Sequence, residues 1–179
     1  MTDDRLYVAL SSGDLKLVPL AEEHREPLRK ACAEDREIWQ IYGNSYLGDA
    51  FDANFDRLVG NLDRRGYAIV ENGVLVGMTA WLAYGEPGWS IEIGNTYYIP
   101  SKRGTGLNRR VKALMLDHAF ACGLMRVVFK VDAVNARSRA AVLKLGCTEE
   151  GTMRRERVTW NGRVRDTVIF SVLADEWAG

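Results

Sequence analysis

Residues 91–122 read IEIGNTYYIPSKRGTGLNRRVKALMLDHAFAC: a strand, a short glycine-containing loop, then a helix. Ile91, Ile93, Tyr97 and Ile99 alternate with more polar residues, the period of a strand with one buried face. Strict alternation puts Glu92, Gly94, Thr96 and Tyr98 together on the other face. Pro100 lacks a ladder donor and ends the strand. Gly104 and Gly106 let the backbone turn tightly and leave its N–H groups uncovered. Leu107, Val111, Leu114, Met115, His118, Ala119 and Cys122 then recur at helical spacing, and Gly123 stops the helix. Lys102, Arg103, Arg109, Arg110 and Lys112 crowd the N-terminal end of that helix, where the macrodipole is already positive. An anion on the free N–H groups would offset this crowding. A solvated basic turn is the plain alternative, but the strand–loop–helix context favours a phosphate.

A Walker loop would need Gly-Lys-Ser/Thr opening the helix, which is absent. A dinucleotide fingerprint would need a third glycine where Arg109 stands. The loop instead resembles the acyl-CoA pyrophosphate loop of the GNAT acetyltransferase superfamily, Arg/Gln-x-x-Gly-x-Gly/Ala, with Arg103, Gly106 and Asn108 at its defined positions. Asn108 departs from the pattern and leaves less room for the backbone to approach a pyrophosphate. The resemblance runs from Leu15 to Trp177 and is nearest the RimJ/RimL-like branch, the ribosomal-protein N-terminal acetyltransferases. LKLVPLAEEH, GxxVGMTAW, EIG and NARSRAAVLKLGCTEEG carry it in order. It implies that acetyl-CoA lies against Tyr98, Ile99, Arg103, Gly104, Thr105, Gly106, Leu107 and Asn108, and that Asn135 and Ser138 meet its pantetheine end.

The 179 residues, 47% of them hydrophobic, suit one domain over 1–179 with a substantial core. With 24 basic and 24 acidic residues no global field favours nucleic acid or an anionic membrane. Cys32, Cys122 and Cys147 are odd in number and scattered, as expected of reduced cytosolic thiols, with no CxxC pair for metal or redox work. The opening MTDDRLYVAL is acidic and has no signal-peptide character, and no apolar run is long enough to span a bilayer. We therefore expect a cytoplasmic protein.

Along the chain, Leu15–Leu20 reads as a strand. Ala21–Ala33 reads as a helix that Glu34–Tyr42 extends or restarts, and Gly43-Asn44 as its break. A further helix is expected over Ala50–Arg65, with Phe51, Phe55, Leu58, Val59 and Leu62 on one side. Asn72-Gly73 between Tyr67–Val70 and Val74–Ala83 is a strong hairpin signal, because both turn residues need positive φ. Arg126–Asp132 is a short strand beyond the helix, and a helical crossover favours a parallel pair. Asn135 can cap a helix over Ala136–Leu145, and a hairpin over Met153–Trp160 and Arg163–Leu173 turns at Asn161-Gly162. The result is an α/β fold: a mixed, mostly antiparallel sheet with one parallel step at the glycine loop, flanked by helices. It matches the acetyltransferase fold that the motifs imply.

Acetylating an amine needs a base for its proton, a donor for the developing oxyanion and a proton for the leaving thiolate. Glu92, on the strand that feeds the loop, is the candidate base; the alternative is a structural carboxylate. Asn135 and Ser138 have a good structural reading as N-cap and first turn, while the resemblance assigns them to the pantetheine arm and the leaving thiolate. Tyr97 and Tyr98 rank below Ser138 as acids. RimL-like enzymes can use a glutamate on the first strand of the last hairpin, but here Arg157 stands at that position, with Glu156 one residue off. A two-residue turn would set Arg157 across from Asp166, making Asp166 a structural acid and a reserve site for the acceptor amine. His118 reads as a core histidine, and no metal site is indicated. Trp39, Trp81, Trp89, Trp160 and Trp177 fit either the core or the acceptor cleft.

These residues suit an acetyl-CoA-dependent N-acetyltransferase acting on a primary amine, by resemblance a protein or peptide N-terminus. Within the same class the acceptor could be a small amine such as an antibiotic, polyamine or amino acid. From another class comes a non-catalytic acyl-CoA-binding protein. Oligomeric state stays open, a homodimer included.

Overall fold

The computed structural model describes residues 5–179, so the first four residues of the acidic opening lie outside the described residues. Eight strands form one sheet in the order β1-β2-β3-β4-β5-β6-β8-β7. They are β1 (Leu10–Ser12), β2 (Leu15–Pro19), β3 (Arg64–Glu71), β4 (Val74–Ala83), β5 (Ser90–Tyr98), β6 (Arg126–Asp132), β7 (Thr148–Val158) and β8 (Val164–Leu173). Four helices accompany them: α1 (Arg25–Ala33), α2 (Ala50–Val59), α3 (Leu107–Ala121) and α4 (Ala136–Lys144). Only β5 and β6 pair in parallel, across the crossover that contains α3. This is the expected mixed sheet with its one parallel step.

Each face of the sheet buries its own apolar cluster. Trp81, Ile91, Ile93, Val127, Phe129 and Val168 pack under α3, with Val111, Met115 and Ala119. Ala68, Met78, Ala80 and Tyr97 pack on the other face under α1, α2 and the segment between them, with Leu28, Trp39, Phe51 and Phe55. The Tyr97 hydroxyl donates to the Ala31 carbonyl at 2.7 Å, and the Trp39 ring stacks on Tyr97 at 4.9 Å, which locks that segment to β5.

Several elements depart from the expected pattern. A short strand, β1, precedes the first expected strand, β2, and pairs with it as a hairpin. The Glu34–Tyr42 helix is a 3₁₀ turn over Glu37–Ile41. The helix expected to reach Arg65 stops at Val59, since Gly60 follows and Arg64 already pairs with Leu82. Leu62, expected on its apolar side, is 60% exposed. Asn72 and Gly73 both take positive φ, 51° and 78°, as the hairpin signal required.

Two irregularities matter for function. Asn95 has φ 53°, and β5 carries one extra residue against β4 there, with Gly94 facing Ala80 and Tyr97 facing Met78. A bulge shifts the alternation by one. Tyr97 therefore shares the face of Glu92 and Gly94, whereas Thr96 and Tyr98 join Ile91 and Ile93 under α3; strict alternation had it the other way round. In the last hairpin the loop holds three residues, because Thr159 N–H bonds the Arg163 carbonyl and Gly162 takes φ 81°. Three-residue loops of this kind end in a left-handed glycine. The extra loop residue moves the register, so Arg157 faces Arg165 and the expected Arg157–Asp166 pair does not form. The Asp166 carboxylate instead accepts from the Arg155 N–H at 2.7 Å, at a second bulge.

Candidate active site

The parallel pairing of β5 with β6 covers only Ser90↔Arg126 to Glu92↔Val128. Beyond it the two strands diverge, and a cleft of about 1010 Å³ opens, lined from both faces of the sheet. That volume lies at the upper end for ligand pockets. The α1–α2 side contributes Tyr42, Gly43, Tyr46 and Arg64; the α3 side contributes Arg103, Gly104, Gly106, Asn108 and Arg109.

Gly104 and Gly106 take φ 78° and 88° and have nothing within 4 Å of where a Cβ would stand. α3 starts at Gly106 without a side-chain cap, and no described hydrogen bond uses the N–H groups of residues 104–109. They form the anion-ready helix start that the sequence implied. The surrounding cations are arranged differently from the expectation. Lys102 pairs with Glu71 at 2.8 Å, Arg103 with Asp35 at 2.5 Å, and Arg110 with Glu71 at 2.7 Å and with Asp14. The crowding is therefore largely offset by this chain's own carboxylates, and among the described residues Arg109 is left without a carboxylate at the helix start, facing the cleft. Arg103 also donates to the Tyr98 carbonyl at 3.0 Å and so braces the loop against β5. The Asn108 side chain folds back to accept from the Tyr98 hydroxyl at 3.1 Å, which draws it towards Tyr98. Ile99, Thr105 and Leu107 do not line the cleft: Ile99 packs against the core, Thr105 bonds the Lys102 carbonyl, and Leu107 is an apolar anchor.

Lys112, grouped with those cations in sequence, is instead buried in the cleft wall. Its Nζ bonds Thr96 Oγ1 at 2.6 Å and Thr79 Oγ1 at 3.2 Å, and no carboxylate pairs with it among the described residues. Burial pushes its pKa down to about 7. The signal was present in the sequence: Lys112 stands three and four residues before Met115 and Leu116, which places it on the buried stripe.

At the start of α4, Asn135 Oδ1 accepts from the Ser138 N–H at 3.0 Å, so the cap is real. Both side chains also line the cleft.

On the α1–α2 face, Glu92 is 8% exposed, with Lys130 Nζ at 3.5 Å. Its carboxylate lies over Gly94, where a Cβ would stand 3.1 Å from Oε1. Burial raises its pKa, an effect that Lys130 opposes, as Arg157 and Arg165 do more weakly. Register puts Lys130, Asp132 and Arg165 on the same face as Glu92. Glu156 is held ionised, its pKa drawn down to about 2 first by Arg157. Tyr42, whose hydroxyl donates to the Thr96 carbonyl at 2.7 Å, ties the helical segment to the divergence point.

The sequence matches the acetyltransferase (GNAT) domain family over residues 14–148. The chain belongs to the GNAT acetyltransferase family. It is an N-acetyltransferase, and its mixed sheet is the GNAT fold. A probable GNAT-family acetyltransferase from Chromobacterium violaceum is 30% identical, with TM-score 0.87 over 97% of this chain and 89% of that one. RimL, a ribosomal L7/L12 α-N-protein acetyltransferase solved with coenzyme A, is 20% identical, with TM-score 0.81 over 94% of this chain and 99% of that one. The spermidine N-acetyltransferase of Vibrio cholerae, solved with CoA and spermine, is 18% identical, with TM-score 0.75 over 94% and 100%. The last two likenesses are of fold. Comparison with curated proteins gave no match.

In this GNAT chain one cleft gathers Glu92, Tyr98, Arg103, Gly104, Gly106, Asn108, Asn135 and Ser138. Asp166 and the five tryptophans are not among its lining residues. His118, expected in the core, is half-buried and bonded to the Arg5 carbonyl at 3.0 Å. Lys112, Lys130 and Arg165 also line it; the sequence reading placed Lys112 only in the basic cluster at the helix start and gave Lys130 and Arg165 no role.

Proposed function

We propose that this chain moves the acetyl group of acetyl-CoA to a primary amine, with a protein or peptide N-terminus as the first acceptor to try and a small amine as the second. One observation carries the reading: a buried carboxyl, Glu92, and the loop of unspent N–H groups that holds Gly104, Gly106, Asn108 and Arg109 open into one cleft from opposite faces of the sheet. The loop suits a pyrophosphate, since its glycines stand clear of neighbours and the one oversized residue, Asn108, is turned to Tyr98.

Acetyl-CoA supplies an acetyl thioester. The residues of the chain do the rest. The loop N–H groups and Arg109 hold the diphosphate, and Asn135 meets the pantetheine arm. Glu92 takes the proton that the amine loses as its N–C bond forms; its raised pKa brings it nearer to that of an amine and makes it a better base at neutral pH than an exposed carboxylate. As the C–S bond breaks, Ser138 offers its hydroxyl to the thiolate. Beyond Glu92 the β6 side of β5 has no ladder partner, which supports backbone donors there as the polariser of the thioester carbonyl.

The test is thiol release from acetyl-CoA with an acceptor panel of N-terminal peptides and small amines. Release with at least one amine supports the reading. No release with any amine, together with no thermal stabilisation by CoA, removes it.

A further inference from the structure

The α1–α2 wall of the cleft holds two arginines directly opposite each other, Arg157 on β7 and Arg165 on β8, with side chains on one face. Like charges at that spacing repel. Glu156 spends both oxygens on Arg157, at 2.6 and 2.8 Å. Arg165 has less. Its nearest carboxylate, Asp132, lies 3.7 Å from Nε and is already gripped by Arg163 at 2.5 and 3.3 Å. The Arg165 side chain is only 10% exposed, and its Nε has no hydrogen-bond partner among the described residues. One Nη makes a single long bond, 3.3 Å, to the Lys130 carbonyl, and the other points at Gly43, where a Cβ would stand 3.5 Å away. Both Gly43 and Arg165 line the cleft.

A buried guanidinium with unspent donors is costly unless something completes its bonding. In the group around Arg165 three carboxylates meet four cations: Glu156 answers Arg157, Glu92 answers Lys130, and Asp132 must answer both Arg163 and Arg165. The surplus cation stands on the face that carries Glu92.

We propose that the acceptor amine carries a carboxylate of its own, which Arg165 binds through its fork while Glu92 faces the amine. This rests on the N-acetyltransferase reading above. Free α-amino acids and peptides with an acidic residue near the N-terminus share that chemistry. A polyamine does not, since its second cation would meet Lys130, Arg157 and Arg165.

The experiment compares acceptors that differ only in charge. With acetyl-CoA, thiol release is measured for amino acids against their amides, for short peptides with Asp or Ala in second position, and for spermidine. Charge-assisted bonding to Arg165 should favour the carboxylate member by roughly ten- to hundredfold in kcat/KM. The arm showing the larger ratio tells free amino acid from acidic N-terminus. Arg165→Met should erase the ratio while CoA still raises the melting temperature, and Arg165→Lys should keep part of it. A ratio near one in both arms, amino acid against amide and Asp against Ala peptide, or preference for spermidine, overturns the proposal while the transferase stands. Should no amine release thiol, calorimetry on the CoA-saturated protein with N-acetylglycine and N-acetylglycinamide still decides. Binding of the acid alone, lost in Arg165→Met, supports the carboxylate site, and equal or absent binding of the two refutes it.

Discussion

Lys102 and Arg103 on the α3 wall of the cleft, and Arg110 behind it, each hold a carboxylate of this chain, whereas Arg157 and Arg165 on the opposite wall stand face to face and share too few. The α3 wall presents backbone: a helix start whose N–H groups point outwards, braced by ion pairs behind it. The other wall presents side chains whose charges do not cancel. A wall built of backbone binds a group common to every turnover, such as a diphosphate. On the proposals above, a wall of unbalanced side chains discriminates among acceptors, and the chemistry falls where the two meet, at the divergence of β5 and β6 beside Glu92.

That division is most exposed at Glu92. Glu92→Gln should keep the fold and CoA binding but lower kcat by about a hundredfold to ten-thousandfold, the usual loss on removing a general base. Because burial raises the carboxyl pKa, wild-type kcat should rise as pH climbs through that raised value, and this limb should vanish in the variant. The deficit should shrink at high pH, where free amine is abundant. Wild-type kcat in Glu92→Gln at neutral pH would return this residue to a structural role.

The backbone wall is tested at Gly106. CoA at a hundred times its dissociation constant should stabilise the protein by about 2.7 kcal/mol. Gly106→Val places a branched side chain at φ 88° over the N–H groups, so it should lose that increment as well as some intrinsic stability. The measurement is the CoA-induced shift relative to the variant's own melting temperature. An unchanged shift would mean that the ligand does not use this loop.

How legible each wall was in the sequence follows from the same division. The loop could be read because its information is local: a strand, two glycines and a helical stripe within about thirty residues. Glu92 was legible for the same reason, as a carboxylate on the strand that enters the loop. The opposite wall could not be read, because it depends on register. One residue added to the β7–β8 loop turned an expected Arg157–Asp166 pair into Arg157 facing Arg165. One residue bulged at Asn95 moved Thr96, Tyr97 and Tyr98 to faces opposite to those that alternation assigned. A slip of one residue exchanges the faces of a strand, and nothing near Asn95 in the sequence announces it. Lys112 is a different kind of miss, since its helical spacing put it on the buried stripe and its charge argued against that.

Lys112 also sharpens the contrast, since the α3 wall contains a charge settled by desolvation. Folding holds it at about 7 against 10.5 for the ordinary amine, so between those values the unfolded chain binds more protons and stability rises with pH. Lys112→Met keeps the volume and leaves the Thr79 and Thr96 hydroxyls bonded to each other at 2.9 Å. The variant should be more stable near neutral pH, by as much as about 4 kcal/mol, and the advantage should fade as pH approaches that of the free amine. Chemical denaturation at pH 7 and pH 10 reads the difference. A gain independent of pH would mean that packing, and not the buried amine, is responsible.

The smallest expected effect lies where the two walls share a helix. Asn135 caps α4 through the Ser138 N–H, and both side chains line the cleft. Asn135→Ala should cost about 1 kcal/mol of stability for the lost cap and, on the reading above, should also weaken CoA binding. Ser138→Ala keeps the backbone N–H that the cap uses, so stability should stay near wild type. If its hydroxyl serves the leaving thiolate, kcat should fall while the dissociation constant for CoA holds, and the loss should be least with a thioester whose thiol is a better leaving group. Pre-steady-state thiol release on the two variants separates the roles. Unchanged turnover in Ser138→Ala with a true acceptor would leave that residue as part of the cap alone and move the search for the acid to Tyr98, whose hydroxyl bonds Asn108 in the same cleft.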